Sequence, residues 1–126
     1  MTVIPTPAIR QAGLDSANTT RQSPVMTQIL AGPDCTTMAE VRAGVDQLDR
    51  ELVAMLARRF AYMDAAARIK PTRDRVRDED RKAQVIEQAR AEAQRLGVPE
   101  TVVVEMWETL VEGSIAYELA AFDRRD

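Results

Sequence analysis

From Thr37 to Pro71 the chain carries one sustained helical pattern, and it limits the fold more tightly than anything else in the sequence. Apolar or small residues fall at Val41, Val45, Leu48, Leu52, Met55, Tyr62, Ala66 and Ile69. The steps alternate between four and three, with one gap where Arg59 falls, which makes a heptad-like stripe. Thr37-Met-Ala-Glu40 has the spacing of a capping box, in which the hydroxyl and the carboxylate each take a free amide of the first turn. Pro71 forbids continuation and pushes Lys70 out of helical geometry. The pattern predicts a helix of about 33 residues, roughly 50 Å long. That is too long for one small globule, so the stripe is expected to pack against another chain.

Two shorter helices follow. Asp78-Glu79-Asp80 puts acids where a helix N-terminus favours them. Val85, Ile86, Ala89, Ala93 and Leu96 then share a face. Gly97 suits a C-cap, and Pro99 suits the first turn of the next helix. The third helix is predicted from about Pro99 to Phe122, with Val103, Met106, Trp107, Leu110, Val111, Ile115, Leu119 and Phe122 as its apolar positions. Asp-Arg-Arg-Asp at 123–126 is expected to fray. No strand pattern or repeat is visible. The fold class is therefore all-α, with one long and two shorter helices. Residues 1–33, rich in Pro, Ser, Thr, Gln and Gly, read as a flexible N-terminal tail. Residues 34–126 read as one helical domain.

Composition removes whole classes of chemistry. The 126 residues include no histidine and one cysteine. A Ser-His-Asp or Cys-His nucleophile cannot be built, nor a zinc cage. No glycine-rich phosphate loop or ligand cluster is present, so neither cofactor nor metal is expected. Cys35 reads as structural or incidental. The net charge of −3 speaks against general nucleic-acid binding. No apolar run approaches the roughly 20 residues of a membrane span, and no secretory signal is evident. The expected location is the cytoplasm. Any catalysis must come from carboxylates, cations, hydroxyls or shape.

The informative residues are the polar ones in apolar places. Arg59 interrupts the first stripe, and a buried guanidinium needs an anion. That anion is either a ligand or a carboxylate of another subunit, unless the stem snorkels to solvent. Lys70 lies 11 residues on, about 16 Å along the helix and rotated by only about 20°. It either closes with Arg59 on a small dianion or neutralises the helix end. Arg42 is about 25 Å from Arg59 and rotated by about 100°, so the two cannot clasp one small ligand from the same helix. Arg42 is either a solvated first-turn residue or part of a site shared between subunits. Ser114 and Glu118 sit on the apolar face of Trp107, Val111 and Phe122. A carboxyl in such a face favours its neutral form. Glu118 then either donates to a ligand oxygen or pairs with a nearby arginine. Glu105, Glu108 and Glu112 read as a solvated face.

These residues carry a resemblance. Val-Arg42, Asp46-Gln-Leu-Asp49, Leu-Ala-Arg-Arg59 and Ala-Ala-Arg-Ile-Lys70 resemble the all-helical AroQ class of chorismate mutases, which includes the related isochorismate-pyruvate lyases. Val76-Arg-Asp78-Glu-Asp-Arg81 and Ile115-Ala-Tyr-Glu118 also fit. The resemblance spans about residues 34–122. It implies an intertwined helical homodimer with shared active sites and a dianionic substrate, chorismate or isochorismate. It implies an isomerase of aromatic amino-acid biosynthesis, forming prephenate in the shikimate pathway. Arg59 and a partner's Arg42 would bind the two carboxylates, and Lys70 and Glu118 would meet the ether oxygen. Arg81 and Ser114 match further carboxylate-side positions, and Asp78 matches a position near the substrate hydroxyl. Three departures stand out. Glu118 replaces a glutamine common in bacterial mutases, although fungal-type mutases use glutamate. Lys82 stands where many mutases carry a glutamate. Asp34-Cys-Thr36 and the 11-residue step from Lys70 to Arg81 look more like the lyases.

Overall fold

The computed structural model describes residues 27–126. Most of the tail expected over residues 1–33 lies outside the described residues. Gly32–Asp34 form one 3-10 turn, and three helices follow: α1 (Met38–Ile69), α2 (Glu79–Leu96) and α3 (Glu100–Asp123). No strand occurs among the described residues. The chain divides into two compact units that meet within α1, one ending at Met55 and the other starting at Leu56.

In the first unit the capping box forms as its spacing predicts. Glu40 N–H donates to Thr37 Oγ1 at 3.2 Å, and Glu40 Oε1 accepts from the amides of Thr37 and Thr36 at 3.1 and 2.9 Å. Those two amides lower the Glu40 pKa. The stripe of this unit is solvent-facing, with Val41, Val45, Leu48, Leu52 and Met55 between 37% and 55% exposed. Among the described residues of this unit, a row of large apolar side chains at heptad spacing is thus left facing solvent.

The second unit holds the core. Val76, Val111 and Ile115 are buried, with Val85, Ile86, Trp107, Leu119 and Phe122 packed against them. Val76 belongs to the charged connection after Pro71, where no core residue was foreseen. Its burial pins that connection to α3. A 3-10 turn at Arg73–Arg75 leads into it. Asp78 caps α2, its Oδ1 accepting from the Arg81 amide at 3.0 Å. At the other end Gly97 adopts φ 75°, Gly97 N–H donates to Gln94 O and Val98 N–H to Ala93 O. That is a Schellman closure, and its left-handed residue explains the glycine.

Asp123 and Arg125 are anchored, contrary to the expectation that residues 123–126 fray. Asp123 continues α3 and receives Arg73 Nε and Nη2 at 2.8 and 3.3 Å. Arg125 lies over the Phe122 ring at 4.0 Å. Composition predicted fraying because four charged residues have no apolar anchor. Ion pairing and ring stacking supply the anchor instead.

Candidate active site

Arg59 lies on α1, half-buried, at the gap in the stripe. Its Nη1 donates to Ser114 Oγ at 2.7 Å, and that hydroxyl donates onward to the Leu110 carbonyl at 2.7 Å. The serine proton is thus committed to the helix, and its lone pairs face the guanidinium. Among the described residues Arg59 has no carboxylate partner. Burial, and then the nearby Arg81 charge, lower its pKa from the usual arginine value. A guanidinium nevertheless stays protonated. Two cations therefore face one space.

That space is a cavity of about 330 Å³, lined by Arg59, Lys70, Asp78, Arg81, Ser114 and Glu118, with Val76, Val85, Val111 and Ile115 as its apolar wall. Six residues singled out in the sequence thus come from four segments to one place. Arg42 does not line it; it is exposed in the first unit. Arg75 and Lys82 line it as well. Arg75 was not foreseen. Its only signal is the short step from Lys70 to Arg81, which leaves the connecting residues little room to leave the cavity mouth. A second cavity of about 550 Å³ lies beside the first and shares Arg59, Arg81 and Val85 with it.

Glu118 is 4% exposed, and its partner is a lysine, not the arginine considered from sequence. Lys70 Nζ stands 2.7 Å from Glu118 Oε2. The approach lies off the hydrogen-bonding direction, so Oε2 has an ion pair but no directional hydrogen bond. Lys70 Nζ also lies 3.5 Å from the Val76 carbonyl. The wall of the cavity thus carries an ammonium and an incompletely satisfied carboxyl side by side.

Glu108 and Glu112 are not a free solvated face. Lys82 Nζ lies 2.7 Å from an oxygen of each, and Glu112 Oε1 also receives Arg77 Nη2 at 2.7 Å. This network ties the start of α2 to α3. Both glutamates raise the Lys82 pKa, Glu108 first. Arg77 and then Lys82 hold the Glu112 carboxyl down at about 2. A carboxyl whose folded pKa is depressed stabilises the fold fully above its unfolded value, about 4.3. That stabilisation is lost as pH falls from there through about 2. Glu112→Gln is therefore expected to melt below wild type at neutral pH, with the gap closing as acid approaches pH 2. The loss should be modest, since exposed pairs are screened. Thermal melts of both proteins across that range check this; a gap unchanged by pH would remove the network from the stability account.

Among the described residues no group able to hold a metal ion occurs and no helix is long and apolar enough to cross a membrane. The chain is similar to the isochorismate pyruvate lyase of Pseudomonas aeruginosa, 27% identical over 86 residues that cover 68% of this chain and 85% of the relative. Residues 41–119 match the family model of type II chorismate mutases. The cavity, its lining residues and the helices that carry them all lie in or just around that span. The chain belongs to the type II chorismate mutase family, the all-helical AroQ class.

Proposed function

We propose that the protein rearranges chorismate to prephenate, in cytoplasmic aromatic amino-acid biosynthesis, at sites shared between two copies of the chain. The observation that carries this reading is the cationic cavity in which Arg59, without a carboxylate partner, faces Arg81 beside the Lys70–Glu118 pair. An anion there relieves the mutual repulsion of the guanidiniums. A forked guanidinium suits a carboxylate. The reaction breaks a C–O bond as it forms a C–C bond, with no proton transfer and no nucleophile. It needs the flexible dianion held compact and the charge developing on the ether oxygen met by fixed donors. Arg59 and a second copy's Arg42 take the carboxylates, with Arg81 and Ser114 behind them. Lys70 meets the ether oxygen, with Glu118 beside it. Asp78 keeps one oxygen on the Arg81 amide and has the other free for the substrate hydroxyl. The exposed stripe on α1 supports the homodimer, because a second chain would supply the apolar face it lacks among the described residues.

A second reading is an isochorismate-pyruvate lyase, releasing salicylate and pyruvate through the same kind of cationic pocket. The relative's name favours it, together with the short step between Lys70 and Arg81. Separate incubations with chorismate and with isochorismate, followed by assays for prephenate and for salicylate plus pyruvate, decide between them. Formation of neither product would favour a non-catalytic helical dimerisation module.

A further inference from the structure

The end of α1 lacks a donor that the helix requires. The carbonyl of Ala67 would accept from the amide of residue 71, but that residue is Pro71, which has no N–H. Ala67 is 2% exposed, so solvent has little access to make good the loss. The next turn of backbone does not help, since the Lys70 amide serves Ala66 at 2.9 Å. One side chain from beyond α3 fills the gap. Arg125 Nη1 donates to the Ala67 carbonyl at 3.0 Å and to the Lys70 carbonyl at 2.6 Å. The Phe122 ring under its guanidinium fixes the approach. Asp123 meanwhile grips Arg73, three residues past Lys70. The last residue of α3 and the segment after it thus hold the chain on both sides of the Lys70–Pro71 peptide, Arg125 through two backbone carbonyls and Asp123 through the Arg73 side chain.

We propose that Arg125 is a positioning residue for Lys70: by binding the carbonyls of Ala67 and Lys70 it fixes the peptide that aims the Lys70 ammonium into the cavity beside Glu118. The inference rests on the proposed function only in giving Lys70 work to do on a substrate. A cation at a helix C-terminus also stabilises the helix, so the test must separate aim from stability.

Arg125→Ala and Arg125→Lys, made in the full chain, are assayed for kcat and KM on whichever substrate the wild type consumes, with rates normalised to folded protein by circular dichroism. Acetylation of the Lys70 amine by acetic anhydride, followed by peptide mass spectrometry, reads the aim of the side chain without any turnover. In Arg125→Ala, kcat is expected to fall about tenfold with KM within about twofold, because small displacements of a catalytic group are costly. Lys70 should acetylate several-fold faster as its contact with Glu118 loosens. Arg125→Lys, which keeps a donor and the charge, should recover part of the rate and of the protection. The proposal is overturned if Arg125→Ala leaves both kcat and Lys70 acetylation at wild-type values, or if the loss vanishes on normalising to folded protein. If the wild type consumes neither substrate yet Arg125→Ala still speeds acetylation of Lys70, the proposed function fails and the positioning stands.

Discussion

Lys70→Ala is expected to lower kcat by between about a hundredfold and a thousandfold, the range found when a preorganised charge-stabilising donor is removed. In the proposed reaction negative charge accumulates on the ether oxygen only on the way to the transition state. The Lys70 ammonium would meet it there, so its loss should fall on kcat more than on KM. The substitution also strips Glu118 of its ion-pair partner in a site where that carboxyl is 4% exposed. Removing one member of a buried pair can cost about 3 kcal/mol or more, so a poorly folded variant could pass for an inactive one. Lys70→Arg separates the two effects. It keeps a cation opposite Glu118 and should stay folded, yet a planar guanidinium cannot present a point charge at the same place. It should therefore melt near wild type and still turn over slowly. Steady-state kinetics beside thermal melts read both quantities. A folded Lys70→Ala within tenfold of wild type would remove Lys70 from the chemistry.

Arg42→Ala and Arg59→Ala, each inactive alone, are expected to recover about a quarter of wild-type activity when mixed in equal amounts and refolded together. The fraction follows from the proposed geometry. If every site takes Arg59 from one copy and Arg42 from the other, a mixed dimer has one site lacking both arginines and one site lacking neither. Random pairing makes about half the dimers mixed, and half of their sites intact. Helix arithmetic supports the premise, since 17 residues of ideal helix span about 25 Å. Arg42 is exposed in its own unit, while Arg59 faces the cavity. No recovery on mixing, with both variants folded and dimeric, would place each site within a single chain.

The helices were legible because local chemistry sets them. The Thr37–Glu40 box, Pro71, the Asp78 cap and Gly97 each act within a few residues, and each appears where its type predicts. Arg59, Ser114 and Glu118 were legible as misfits in apolar stripes, but their partners were not. Sequence offered Glu118 an arginine, and the fold gave it Lys70 from just past the end of α1. Lys82 was noticed as a departure, but its hold on Glu108 and Glu112 depends on how α2 lies against α3. Val76 escaped because one apolar residue in a charged loop has no period to mark it. Arg125 escaped for a related reason: an unpaired carbonyl created by Pro71 is visible in the sequence, but the residue that answers it lies 58 positions away.

The Lys70–Glu118 pair also bears on how such a chain drifts over generations. A close-packed hydrophobic pair in the same place is often as stable as a buried ion pair, or more so. Selection for folding alone would therefore replace both residues with little resistance and leave the helices unchanged. A descendant freed from its reaction should lose this lysine and glutamate well before it loses Pro71, Gly97 or the apolar stripes. Their joint absence would mark members of the fold that have taken up other work.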